Sequence, residues 1–164
     1  MLIKDEGETG VAAGAHAAER IFPALEALSR TMVARHHGDR PHLDLDAFES
    51  LSDHLVIIRT ARRFGDFRIQ FYGSVLAEIG GRGELDGVEF GDLLDDAFYR
   101  SVLGGYRHTF LTGVATITRN HALQSQPGYF TRLSIPIFSG NQAEFLVGAV
   151  VPHEQPLGDA AAAR

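Results

Sequence analysis

The sequence predicts an α+β domain: a five-stranded antiparallel sheet, helices inserted between its second and third strands, and one helix ahead of it. Three observations carry this expectation. Two strand-like segments lie before the middle of the chain and three after it, each rich in branched apolar residues or alternating with period two. Between the two groups, Asp66 to Leu94 leaves a strand at Gly73 and passes through short helical runs broken by Gly80, Gly81, Gly83 and Gly87, which describes a wall wrapped round a cavity. Helices and strands do not alternate one for one, so the parallel-sheet pattern does not fit.

In chain order, Ile21, Leu25, Leu28 and Met32 form a stripe at helical spacing, widened by Phe22 and Val33, and predict a helix from Ala15 to His37. Pro23 fits its first ordered turn, and Gly38 ends it. Arg40-Pro41-His42 reads as an extended link, and Asp44 to Leu51 as a short amphipathic helix with an Asp cap. Leu55 to Thr60 and Phe67 to Tyr72 form the first hairpin, with strands near 55–62 and 66–72. Ser74 to Ile79 and Val88 to Leu94 supply short helical turns. Asp95-Asp96 can cap a longer helix from Ala97 to Leu111, with Gly113 as its stop. Strands follow at 114–123, 129–138 and 145–151, the last two joined at Ser139-Gly140-Asn141. The division expected is a flexible 1–14, N-terminal helices over 15–52, the sheet domain over 53–153 and a flexible tail, 154–164.

Composition bounds the function. A chain of 164 residues suggests one domain, and 45% apolar with 22% charged residues is ordinary for a globular protein. A formal net charge of −6 argues against a nucleic-acid partner, which needs a basic face. The absence of cysteine removes disulfides, thiolate metal sites and cysteine nucleophiles; it is compatible with a reducing cytoplasm, the location expected here. The acidic N-terminus does not read as a signal peptide, and no apolar run reaches the roughly 20 residues of a membrane span.

Three pieces resemble the PAS sensor domain, and within it the alphaproteobacterial single-domain PAS_5 type. They are Arg40-Pro41 before Asp44-Leu45-Asp46, the strand Phe67 to Tyr72 closed by Gly73, and Arg132-Leu133-Ser134-Ile135-Pro136-Ile137 followed by Phe145 to Ala149. The likeness covers roughly Leu25 to Val151. It departs at Gln70, where the family often has arginine, and in a longer loop from Gly80 to Gly87. The resemblance implies a PAS-like sheet and a sensory or protein-interaction module in bacterial signalling, without catalysis of its own. It also implies an unknown small-molecule ligand, a signalling protein as output partner, and homodimer formation. Haem and flavin stay open as cofactors, with no residue indicating either.

If the fold is PAS-like, the cavity between sheet and helices is expected to be walled by Phe71, Leu76, Ile79, Phe90, Leu94, Phe98, Val102, Tyr106, Ile117, Leu133 and Ile135. The outer face would then carry Val56, Ile58, Phe138, Leu146 and Val150. The helical stripe Ile21, Phe22, Leu25, Leu28, Met32 and Val33 is expected to cover that face, in its own chain or across a dimer interface.

Other groupings have plainer readings. The loop glycines lack the Gly-Lys-Ser/Thr ending of a phosphate loop and suit tight turns. His36, His37 and His42 suit a solvated helix end better than a metal site. His108 reads as a surface or half-buried side chain and His121 as part of an exposed edge. Asp92, Asp95 and Asp96 suit capping better than paired acid–base work. Arg132 is placed on the outer face of its strand, as a solvated edge residue. Two alternatives remain: an NTF2-like cone, which would place its long helices before most strands, and a purely structural dimerisation unit.

Overall fold

The computed structural model describes residues 7–38, 40–122 and 128–153. The tail expected at 154–164 and the start of the expected flexible N-terminus lie outside the described residues. A helix, α1 (Gly7–Thr31), is the first described element and holds Pro23 in its interior rather than in its first turn. A small hairpin follows, β1 (Arg35–His37) with β2 (Arg40–His42). After a 3-10 segment at Asp46–His54 come β3 (Leu55–Arg59), β4 (Arg68–Tyr72), α2 (Ser74–Gly80) and α3 (Ala97–Thr112). The chain then forms β5 (Thr116–Ala122), β6 (Gly128–Ser139) and β7 (Gln142–His153).

β3 to β7 build one sheet in the order β4-β3-β7-β6-β5, with every neighbouring pair antiparallel. The α+β architecture is the one expected, with the helices between the second and third strands of this sheet. The expected first helix, however, stops at Thr31 rather than His37. Ala34 N–H donates to the Phe138 carbonyl at the end of β6, which draws the chain away from the helix axis. Gly38, expected to end the helix, instead turns the β1–β2 hairpin with φ of 65°.

The sheet is covered on both faces. On one, α1 sets Ile21 and Leu25 against Leu55, Ile57, Leu133, Ile135, Phe145, Val147 and Ala149, together with Phe48 and Leu51 of the 3-10 segment. On the other, α2 and α3 cover Val56, Ile58, Ile69, Phe130, Leu146 and Val150. The helical stripe therefore packs on its own sheet, with Phe22, Leu28 and Met32 half-buried beside the core and Val33 exposed.

The strand faces are the reverse of those expected. Period two fixes which residues share a face, not which layer covers it. Two irregularities shift the parity further. Ile57 pairs with Phe71 but Ile58 with Ile69, so Gln70 is an extra residue that puts Ile69 and Phe71 on opposite faces. In the β6–β7 hairpin, Phe138 pairs with Ala143 directly after the Ile137–Phe145 pair.

Candidate functional site

Between the sheet and α2–α3 lies an apolar cavity. The sheet supplies Val56, Ile58, Ile69, Tyr72, Phe130 and Val150, and the helices supply Leu76, Ile79, Gly80, Phe98, Tyr99, Val102, Leu103 and Tyr106. Leu85 and Phe90 close it from the connecting segment. Counting only space open to the centre of a water-sized sphere, its volume is ≈ 40 Å³. About 10–15 Å³ on that measure holds one water, so the cavity takes roughly three or four water-sized groups. The 3-10 turn Phe90–Asp92 and the segment before it are tied to β4: Ile69 N–H donates to the Val88 carbonyl, and Gly87 N–H to that of Ile69. The cavity's outer wall is thus fastened to the sheet edge.

α3 is held in place at both ends. The Asp96 carboxylate accepts from the Phe98 N–H at 2.8 Å and the Tyr99 N–H at 3.4 Å, which satisfies two of the open donors of its first turn. Gly113, with φ of 64°, ends it in the left-handed conformation.

Three tyrosines line this apolar space. Tyr72 Oη donates to the Leu76 carbonyl and Tyr99 Oη to that of Gly80, both at 3.2 Å. They meet over Gly80, where a Cβ would lie 2.5 Å from Tyr99 Oη. Tyr106 Oη sits over Gly148, 2.8 Å from where a Cβ would stand. Burial pushes the Tyr72 hydroxyl far above the ordinary tyrosine range, helped by Tyr99 and Tyr106 nearby. Burial also raises Tyr99, against the opposing pull of Tyr72 and Arg82, and raises Tyr106 against Arg132. All three are neutral donors at ordinary pH.

Of the expected wall residues, Leu76, Ile79, Phe90, Phe98, Val102 and Tyr106 line this cavity, and Leu94 packs against the same core without lining it. Leu133, Ile135 and Phe71 belong to the opposite face, with α1, and Ile117 is 61% exposed beyond the cover of α1. Phe71 lines a second recess, ≈ 160 Å³ on the same measure, with Leu45, Phe48, Glu49, Ser52, Leu55 and Ile57. That recess is the larger of the two; Leu55, Ile57 and Phe48 at its floor are buried, and Leu45 at its rim is 42% exposed.

Arg132, expected on an exposed edge, is 1% exposed. Its Nη1 donates to the Val102 carbonyl at 2.7 Å, and its guanidinium lies 4.1 Å from the Tyr106 ring centre. Its room comes from Gly105, where a Cβ would strike Nη2. His36, expected at a helix end, pairs with Glu144 at 2.9 Å from the small hairpin, and His108 is exposed on α3. Among the described residues, no helix is long and apolar enough to cross a membrane.

A five-stranded antiparallel sheet of order β4-β3-β7-β6-β5, helices between its second and third strands, and a cavity between those layers match the arrangement the resemblance implied. The fold is PAS-like. No protein-family model matches the sequence, and no curated protein matches it. The similar solved structures include two that differ in how much of the chain they cover. One is a domain of an HTR-like protein from Haloarcula marismortui, 15% identical, covering 60% of this chain and 94% of that one, with a TM-score of 0.43. The other is an RNA-binding light-oxygen-voltage receptor, 17% identical, covering 87% of this chain, with a TM-score of 0.43; this chain spans 47% of its length.

Proposed function

We propose that the chain is a sensory PAS module that holds a small molecule between the sheet and α2–α3 and passes its presence to a signalling partner. The observation that carries this reading is the cavity itself. Protein interiors are close-packed, with few voids larger than a water, yet here an apolar space of ≈ 40 Å³ is kept open under a wall that includes three tyrosines. A mostly apolar hollow with a few convergent polar groups is the usual form of a ligand site. Its size favours a guest of a few non-hydrogen atoms over a flavin or haem. No catalytic role is assigned to any residue.

Native mass spectrometry of freshly purified chain should show an added small mass. Val102→Phe, which fills the cavity from α3, should remove that mass while the melting transition stays cooperative. A chain that carries no guest and does not respond to small apolar additives would refute the reading. A second reading, a protein-interaction module without a ligand, draws on Leu111, Val114 and Ile117, all exposed at the corner where α3 passes into β5. Exposed apolar clusters mark contact surfaces, and the same spectra would report pairing.

A further inference from the structure

β6 carries a cation inside the protein. Arg132 is buried, and among the described residues no carboxylate forms an ion pair with it. The Val102 carbonyl and the Tyr106 ring face the guanidinium, but neither supplies a negative charge, and Nε has no partner. A buried charge without a counter-charge is among the most costly arrangements in a protein interior. Its neighbours are short of partners too. Thr118 stands opposite Arg132 on β5, and Ser134 lies two residues along β6, so all three share one face. The Thr118 and Ser134 hydroxyls are buried without a hydrogen bond. Of the four such side-chain atoms among the described residues, three are therefore in this one cluster, and each calls for an explanation.

We infer that Arg132, Thr118 and Ser134 form the seat for the carboxylate of a small organic acid whose apolar body lies in the cavity. The inference rests on the sensor reading for the body of the ligand, and on this cluster for its head. A guanidinium is a planar fork that matches a carboxylate, and two hydroxyls can donate to the same oxygens. One buried positive charge balances one negative charge, which suits a monocarboxylate better than a phosphate dianion. The cluster also adjoins the cavity. Val102 and Tyr106 touch Arg132, Val150 pairs with it on β7, and Phe130 precedes it by two residues on the same face; all four line the cavity. The size of that space limits the apolar body to a short chain.

The test titrates the full chain with sodium acetate, sodium butyrate and neutral butan-1-ol, against sodium chloride at equal ionic strength. The readouts are the Arg132 Nε–H resonance and the methyl resonances of Val102 and Val150. Both carboxylates should shift the Arg132 resonance saturably. Butyrate should bind about tenfold tighter than acetate, as two further buried methylenes imply. Butan-1-ol should shift the methyls alone. Arg132→Met should abolish the carboxylate response; if that variant does not fold, Thr118→Val combined with Ser134→Ala should weaken butyrate by about tenfold or more. An Arg132 resonance that carboxylates move no further than chloride does overturns the inference, whatever the alcohol does. Methyls blind to the alcohol, with butyrate no tighter than acetate, would instead overturn the cavity reading and leave the anion seat standing.

Discussion

Gly104 and Gly105 are adjacent in α3, yet replacing each by alanine should move stability in opposite directions. Alanine in a helix interior is favoured over glycine by about 1 kcal/mol. At Gly104 nothing lies within 4 Å of the new Cβ, so Gly104→Ala should gain about that amount. At Gly105 the Cβ would strike Arg132 Nη2 and come within 3.0 Å of the guanidinium carbon. An exposed arginine would swing aside at little cost, but Arg132 is enclosed. It would lose the hydrogen bond to the Val102 carbonyl, about 1.5–3 kcal/mol for a charged donor, and the contact with Tyr106, about 0.5–2 kcal/mol. Set against the helix gain, Gly105→Ala should destabilise by about 1–4 kcal/mol. For a chain of this size each kcal/mol shifts the melting temperature by about 2–4 °C, so the two variants should fall on opposite sides of the parent. The double variant Gly105→Ala with Arg132→Met should recover the helix gain, and the coupling is read from the cycle of four proteins. Equal stabilisation by both alanines would refute the enclosure of Arg132 between α3 and β6.

Other expectations concern the remaining elements. Tyr72, Tyr99 and Tyr106 are all raised in the fold by burial, whereas unfolded tyrosine titrates near 10. Above that pH the unfolded chain loses protons that the folded chain keeps, so stability should fall by up to about 1.4 kcal/mol per pH unit for each tyrosine. Urea midpoints above pH 10, followed with phenolate absorbance, check this, and a flat profile would contradict the burial of the three hydroxyls. Leu25→Asp places a charge under α1 at a fully buried position and should cost about 3–5 kcal/mol. Val33→Asp, at an exposed position, should stay within about 0.5 kcal/mol; equal melting temperatures for these two would mean that α1 does not pack on its own sheet. Asp96→Ala removes the cap of α3 and should cost about 1 kcal/mol, measurable by denaturant titration, with Asp96→Asn retaining most of it.

Much of the architecture was legible because it rests on local signals. The alternation in Arg132 to Ile137 marks a strand, Asp96 marks a helix start, and Gly113 its end. The helix-side wall residues Leu76, Ile79, Phe98, Val102 and Tyr106 follow from helical spacing, which points one stripe inward. Facing was not legible to the same degree. Leu133 and Ile135 are the more apolar set of β6, and the expectation joined them to the cavity; in the structure they lie under α1, and polar Arg132 and Ser134 face α3 instead. Their burial depends on room left by Gly105 and on α3 overhead, both distant in sequence. A usable signal was nevertheless present. Leu55 to Ile58 and Phe145 to Val151 are almost unbroken apolar runs, which indicate strands covered on both faces rather than one. Phe71 was lost to a bulge, which breaks the period on which its placement depended.

The two covered faces make β7 a partition with a load on each side. Val150 borders the cavity, while its chain neighbours Ala149 and Val151 belong to the layer beneath α1. The guest proposed above, if it presses Val150 outward, would move the same backbone that carries Ala149 and Val151. Close-packed layers have little slack in which to dissipate such a shift, so the displacement is handed to whatever rests on the far side. That element is α1, among the described residues the one long helix outside the sheet's own insert. On the proposed sensor reading, the pocket and α1 are thus separated by the thickness of a single strand, and filling the one would load the other.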